Sequence, residues 1–373
     1  MSNKLLTIIV PCFNMEQYLV KCLESLGIRA LSESGDQAGR TSADLLDVIV
    51  VNDGSADKTS VIAHSYADAV NSARTTPVIR VVDKKNGHYG SCINVGVEMA
   101  AGQYVKILEP DDTYDTQNFH GFLQYLIEMS ERRVDVVLSE LARVDENGKV
   151  FAWARHTLEQ GVVYPISKLT ETKGCVFNGG LTYRTQLLRG IGYRQMEGVC
   201  YSDTQWYLIP LCHAKTMACF PKIIYRYFTG RDGQSMSRSQ YARNTWMMEK
   251  VALDLLENHE DDIQGADAAI AAHVRRMIYE CLLSIYVACI VWKEKSLSKT
   301  NLQTLDDRLK VIAPDIYAKI GAVKWANSFL PYHYVKAWRE GSKLLPIMTW
   351  LCRHYSNIMM GLVRFRGRAM CGN

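Results

Sequence analysis

Two hydrophobic periods alternate along the first third of the chain. Compact apolar runs at Leu6–Val10, Leu46–Val51, Val78–Val82, Tyr104–Leu108 and Val134–Leu138 read as strands. Between them, apolar positions recur at helical spacing through Leu19, Leu23 and Leu26, then over Asp57–Val70, Ser91–Ala101 and Thr116–Met129. Leu46–Val51 is too continuous for a half-exposed strand and suits one buried on both faces. Asn14 and Gln17 have N-cap and capping-box spacing for the first helix. Arg29–Asp44 is polar and reads as a surface insertion. Strands alternating with helices predict right-handed crossovers and an α/β, mainly parallel sheet with helices on both faces.

Regularity then falls. Phe151–Gly180 has no clean period and predicts loops with short strands, Asp203–His213 a helix, and Lys222–Phe228 a strand. From about Gln240 the pattern is helical. The expected organisation is an α/β domain over 1–238, with a nucleotide-binding half at 1–115 and an acceptor half at 116–238. A helical C-terminal region follows over 239–373.

Composition narrows this further. A chain of 373 residues, 48% hydrophobic and 22% charged, is a folded protein large enough for two cores. A net charge of +4 makes no case for nucleic acid. The 11 cysteines are odd in number and include no CxxC, so they read as reduced thiols of a cytoplasmic protein. Leu5–Val10 is too short for a signal-peptide core, and Cys281–Trp292 falls short of the roughly 20 residues of a bilayer span.

In an open parallel sheet, ligands sit beyond the carboxyl ends of the strands. The first four predicted strands run into Pro11-Cys12-Phe13-Asn14, Asn52-Asp53-Gly54-Ser55, Asp83-Lys84-Lys85-Asn86-Gly87 and Glu109-Pro110-Asp111-Asp112. Four polar turns at one rim point to a polar ligand. Three carboxylates in four residues call for a neutralising cation, and oxygen-only donors suit Mg²⁺ or Mn²⁺. A solvated turn capping the next helix explains that motif equally well. Asn86 and Gly87 open a turn able to bring backbone N–H groups to phosphate at a helix N-terminus. The chain has no GxGxxG and no GxxxxGK[ST], which disfavours a dinucleotide dehydrogenase or a P-loop NTPase.

Together these motifs resemble family 2 of the inverting glycosyltransferases, whose fold is the Rossmann-like GT-A type. Ile8–Asn14 is similar to the family's "IIVPxYN" and Val50–Thr59 to "VDDGSxDxT". Asn86, Gly87, Gly90, Asn94, Gly96, Ala101, Gly102 and Tyr104 follow "NxGxxxARNxGxxxAxGxY". The resemblance implies that Asp53 meets the nucleotide base and that Pro11, Phe13 and Glu16 line the nucleoside pocket. Glu109 takes the first place of the DxD motif, facing ribose or metal. Asp111 is the implied principal metal ligand, with Asp112 beside it near the donor sugar. The sequence departs from the pattern at Asn52, Glu109 and Pro110, and it lacks the "QxxRW" of processive polymerases.

In the second half, Tyr201–Trp206, Tyr225–Tyr227 and Gly230–Ser235 are similar to acceptor-side segments of bacterial surface-polysaccharide enzymes. That likeness implies Asp203 as general base, and Arg226 and Arg231 as phosphate or acceptor contacts. The implied reaction is one inverting displacement from a nucleoside-diphosphate sugar, with a lean to UDP. The acceptor would be a glycan or lipid-linked hydroxyl in cell-surface polysaccharide or glycolipid synthesis. Two alternatives stay open: a nucleotidyltransferase, which would want a Gly- and Arg-rich loop after the first strand, and a non-catalytic nucleotide-sugar-binding subunit. From Lys319 onward there are nine Lys or Arg and one acidic residue, Glu340, flanking apolar groups such as Leu344–Leu351 and Ile358–Phe365. Peripheral contact with the inner face of the cell membrane, core packing, or a homo-oligomer interface would each account for this tail.

Overall fold

The structure is a computed structural model that describes residues 4–33, 41–72, 74–172, 178–230, 237–325, 332–351 and 353–354. Its elements begin with β1 (Leu6–Cys12), α1 (Leu19–Glu24), α2 (Ile28–Glu33), β2 (Leu46–Asn52), α3 (Thr59–Asn71), β3 (Ile79–Asp83), α4 (His88–Met99) and β4 (Tyr104–Ile107). There follow β5 (Thr113–Tyr114), α5 (Thr116–Glu131), β6 (Val136–Val144), β7 (Val150–Ala154), β8 (Tyr164–Pro165), β9 (Leu181–Arg184), α6 (Thr185–Gly190), α7 (Asp203–His213) and β10 (Thr216–Phe228). The remaining helices are α8 (Arg238–Glu257), α9 (Glu260–Gly265), α10 (Ala268–Ile290), α11 (Leu302–Ile312), α12 (Pro314–Gly321) and α13 (Tyr334–Arg339). The chain divides into two compact units: Met1–Asp232 with Asp261–Val274, and Gly233–Glu260 with Arg275–Asn373.

In the first unit the sheet runs β3-β2-β1-β4-β9-β6-β10-β5, with β7 beside β6 and β8 beside β10. β1, β2, β3 and β4 pair in parallel, as the strand–helix alternation predicts. β9 is antiparallel to both β4 and β6, while β6 and β10 are again parallel. β1 and β2 are buried along their whole length, which explains their unbroken apolar runs. On one face Ile8, Val10, Val48 and Val50 share a core with Leu19, Leu23, Phe119, Phe122 and Leu126. On the other, α4 lies so close to β1 that a Cβ at Gly96 would sit 2.5 Å from the Ile9 side chain. Trp206 of α7 meets Tyr183 of β9 edge to face at 5.0 Å.

Two local expectations fail. Helix α1 starts at Leu19 behind Tyr18, so Asn14 and Gln17 form no capping box. Asn14 instead turns left-handed (φ 54°), a conformation asparagine tolerates better than most residues. Its N–H donates to Ser55 Oγ at 2.9 Å and its Oδ1 accepts from the Ala56 N–H at 2.9 Å, tying the exits of β1 and β2 together. Long-range polar partners outcompeted the local cap. The start of the expected insertion is also helical: Ile28 and Leu31 of α2 are buried. The cysteines among the described residues are free thiols, as expected.

In the second unit, α10 packs Tyr286 against Trp338 edge to face at 6.2 Å. Arg339 of α13 forks onto the buried carboxylate of Asp306, which also accepts from Tyr286 Oη at 2.6 Å. Among the described residues no helix is long and apolar enough to cross a membrane.

Candidate active site

The carboxyl ends of β1 to β4 and the N-termini of α4 and α7 place the singled-out polar groups. Asp53, just past β2, is almost fully buried. Its Oδ1 accepts from Lys84 Nζ at 2.7 Å and from the Gly87 N–H at 2.9 Å. Lys84 Nζ also donates to Ser91 Oγ and to the Lys85 carbonyl, so that ammonium is fully committed. Asn86 Nδ2 donates to the Asp53 carbonyl at 3.0 Å, which clips the third turn onto the second. Asn86 and Gly87 thus lie beside Asp53.

Pro11 is buried within β1, whereas Phe13 is 47% exposed at the rim. Glu16 lies next to the start of α3: its Oε2 accepts from the Lys58 N–H at 3.0 Å, and its own N–H donates to Asp57 Oδ2. Asp57 also accepts from the Thr59 N–H, closing the N-terminus of α3.

The acidic turn after β4 is braced from three sides. Tyr89 Oη, from the first turn of α4, donates to Glu109 Oε1 at 2.6 Å. Tyr225 Oη, from β10, donates to Asp112 Oδ2 at 2.6 Å and accepts from the Glu109 N–H at 3.2 Å. The Phe228 N–H donates to Asp112 Oδ1 at 2.7 Å. Burial pushes the Glu109 carboxyl well above the usual range; the Tyr89 hydrogen bond opposes this, and Asp111, Asp112 and Asp203 add to the rise. Asp115 caps α5 by accepting from the Asn118 N–H, so the capping role falls outside the acidic triplet.

Asp203 is the first residue of α7, and its Oδ2 accepts from Asn178 Nδ2 at 2.9 Å. Burial raises its pKa, while the Thr204 N–H and Asn178 pull the other way. A well-defined seam brings α7 to α4. Asn94 Nδ2 donates to the Gln195 carbonyl at 2.9 Å, the Gln195 N–H donates to Asn94 Oδ1 at 2.7 Å, and the Gly198 N–H donates to the Gly87 carbonyl at 2.8 Å. Gly90 makes the approach possible, since a Cβ there would lie 2.1 Å from the Met196 carbonyl oxygen. His88 (φ 62°) and Tyr201 (φ 64°) are both left-handed at this seam, a costly conformation that clusters at functional sites. Arg226 lies on β10 beside Ala142 of β6, while Arg231 lies outside the described residues.

The sequence reading missed the partners: Lys84 and Ser91 for Asp53, Tyr89 for Glu109, Tyr225 for Asp112 and Asn178 for Asp203. Tyr225 lay in a motif already singled out, but nothing local signalled its target. Among the described residues no three His, Cys, Asp or Glu side chains converge as a ready-made metal cage. Mg²⁺ and Mn²⁺ need only one or two protein carboxylates when substrate phosphates complete the shell.

Comparison with known proteins follows the same line. The family model described as Glycosyl transferase family 2 matches residues 7–191. EpsJ of Bacillus subtilis (strain 168), an uncharacterized glycosyltransferase, is 31% identical over 133 residues, 36% of this chain and 33% of its own length. TarS of Staphylococcus aureus (strain Mu50), a poly(ribitol-phosphate) beta-N-acetylglucosaminyltransferase, is 23% identical over 271 residues, 69% of this chain and 42% of its own. The chain therefore spans a third to under half of these two relatives. A crystal structure of S. aureus TarS 1–349 in complex with UDP-GlcNAc superposes with a TM-score of 0.58 at 19% identity, covering 90% of this chain and 92% of that one. With its four strand-end turns in order inside the matched span, the chain belongs to glycosyl transferase family 2 and has the GT-A fold.

Proposed function

We propose that the protein transfers a sugar from a UDP-linked donor to an acceptor hydroxyl, with inversion at the anomeric carbon, during synthesis of a bacterial cell-surface polymer or glycolipid. The observation that carries this reading is the meeting of the Gly87–Gly90 turn, the acidic turn and Asp203 at one rim, held together by the Asn94–Gln195 seam. TarS, named for N-acetylglucosamine transfer and solved with UDP-GlcNAc, supports the donor class. The similarity to GgaB of B. subtilis, a minor teichoic acid biosynthesis protein, supports the setting.

In this reading Asp53 receives the base through its Oδ2, since Oδ1 is taken by Lys84 and Gly87. Pro11, Phe13 and Glu16 border the nucleoside, and Gly87 at the start of α4 faces the diphosphate. Asp111, with Glu109, would hold Mg²⁺ or Mn²⁺, and such an ion would supply positive charge to the departing diphosphate. Asp112 shapes the donor-sugar side of the turn. Asp203 takes the proton of the acceptor hydroxyl as that oxygen attacks, and the elevated pKa of a buried carboxyl suits a base.

The second unit offers a route to a lipid-linked acceptor. Leu344, Ile347 and Leu351 recur at helical spacing and are exposed, as is Trp350, next to Lys343 and Arg353. This apolar and basic surface suits peripheral contact with an anionic membrane; Ile358–Phe365 lies outside the described residues.

The deciding experiment screens donors by nucleotide release. Purified protein with UDP-, GDP- and dTDP-sugars should release UDP alone, faster when acceptor polymer is added. Nucleotide binding without release from any donor would overturn transfer in favour of a binding subunit.

A further inference from the structure

We infer that Tyr89 and Tyr225 are positioning residues that clamp the acidic turn from opposite sides, fixing Glu109 and Asp112 so that Asp111 is presented between them to the diphosphate and its cation. The inference rests on the donor reading above and deepens it.

Three carboxyl groups on a four-residue turn repel one another as they ionise. Something must hold them in a fixed array before a ligand arrives, or part of the binding free energy is spent on ordering them. The two phenols supply that restraint. Tyr89 reaches from α4 to Glu109 Oε1 at 2.6 Å, and Tyr225 reaches from β10 to Asp112 Oδ2 at 2.6 Å. Both O···O distances lie at the short end of the O–H···O range. Tyr225 also accepts from the Glu109 N–H, so one hydroxyl spans both ends of the turn. The Phe228 N–H holds the second oxygen of Asp112, which leaves that carboxylate fixed at both oxygens.

The surroundings preserve the clamp. Tyr225 is fully buried, its ring meets Tyr114 edge-on at 5.9 Å, and Gly179 keeps its place open: a Cβ there would lie 2.4 Å from the ring. The clamp also accounts for the departure from DxD at its first position. Glutamate has one more methylene than aspartate, hence more reach and more freedom. Tyr89 uses the reach and removes the freedom.

The test is calorimetric titration of UDP with and without Mn²⁺, with free Mn²⁺ followed by electron paramagnetic resonance, in wild type, Tyr89→Phe and Tyr225→Phe. Each variant removes one oxygen. Wild type should bind UDP more tightly with Mn²⁺, and each phenylalanine should cost up to about tenfold of that gain, the range for one hydrogen bond. Metal-free UDP affinity should stay within about twofold, which separates positioning from a general loss of structure. Tyr89→Phe and Glu109→Gln together should cost clearly less than the sum of the two, because one acts through the other. An undiminished Mn²⁺ gain in Tyr89→Phe, or additive effects in the pair, overturns the clamp, and this arm decides even if Tyr225→Phe does not fold. A wild type with no Mn²⁺ gain overturns instead the metal-assisted donor reading on which the clamp rests.

Discussion

Asn52 donates its side-chain amide to Asp83 Oδ1 at 2.7 Å, joining the carboxyl ends of β2 and β3. The hydrogen bond from His64, then that from Asn52, holds the Asp83 carboxyl below its ordinary range, and Ser60 adds a third. An amide therefore stands where the family pattern has a carboxylate, because here the neighbouring strand supplies the negative charge. Asn52→Asp would set two carboxylates against each other at hydrogen-bond distance. The expected result is a loss of about 1–3 kcal/mol at pH 7, recovered as the pH is lowered and one of the pair takes up a proton. Urea denaturation at pH 7 and pH 5 measures this, and equal stability of variant and wild type at pH 7 would refute it.

The seam between α4 and the segment before α7 makes a second prediction. Gly90→Ala places a methyl 2.1 Å from the Met196 carbonyl oxygen and 2.9 Å from Ser202 Oγ. Backbone cannot yield as a flexible side chain would, so about 1–3 kcal/mol of stability should be lost, along with most turnover, as Asp203 shifts from the rim. Gly190→Ala, which meets nothing within 4 Å, is the control and should melt within about 0.5 kcal/mol of wild type. Matching melting curves for the two variants would rule out the seam as a close-packed contact.

How much of this was readable before folding differs by feature, for physical reasons. β1 to β4 and the turns that follow them were legible because buried strands must be apolar and must end on polar residues where the chain leaves the sheet. The antiparallel insertion of β9 was not, since Leu181–Arg184 is short and a strand's direction leaves no mark in its own composition. Asn14 misled because a helix cap and a left-handed turn favour the same residue. The braces on the acidic turn were invisible because Tyr225 and Asp112 lie far apart in sequence and only the sheet order brings β10 to the turn.

Lys106, at the centre of β4, is fully buried, and its Nζ reaches no carboxylate among the described residues: it has Ser139 Oγ at 3.3 Å, Thr182 Oγ1 at 3.4 Å and the face of the Phe122 ring at 5.7 Å. Burial lowers its pKa to about 7, against roughly 10.4 in an unfolded chain. Between those values the unfolded state binds more protons, so stability rises as pH increases from about 7 to 10, by at most about 1.4 kcal/mol per unit. Lys106→Met should flatten that rise and stabilise the protein by about 1–3 kcal/mol at neutral pH. Denaturant midpoints at pH 7 and 9 for both proteins check this; parallel pH slopes would show that Lys106 does not titrate as described.

Exposed apolar residues on the second unit predict a surface activity. The 373-residue chain should co-sediment with phosphatidylglycerol vesicles at low salt and much less at 0.5 M salt, since about 1 kcal/mol per basic residue is at stake. Leu344→Ser with Ile347→Ser and Trp350→Ser should reduce the bound fraction about tenfold or more by removing three side chains that would enter the interface. Unchanged sedimentation of the triple variant would place the contact elsewhere.

Asp203 carries the heaviest chemical demand in the proposed reaction, and its surroundings predict how it should behave. A base must be ionised to act, so turnover should fall as the pH drops through its folded pKa. Burial raises that pKa above the ordinary carboxylate value, so the acid limb of the rate profile should lie above about 3.9. Asn178 opposes the rise by donating to Oδ2 at 2.9 Å, so Asn178→Ala should move the limb to higher pH and leave UDP affinity intact. Asp203→Asn keeps the shape, and its amide oxygen still accepts from Asn178, but the proton acceptor is gone. Turnover should drop about 10²-fold or more with UDP binding within about twofold, and the acid limb should vanish from what activity remains. Retention of near wild-type turnover would remove Asp203 from the chemistry and leave it as an acidic residue in the first turn of α7, held by Asn178.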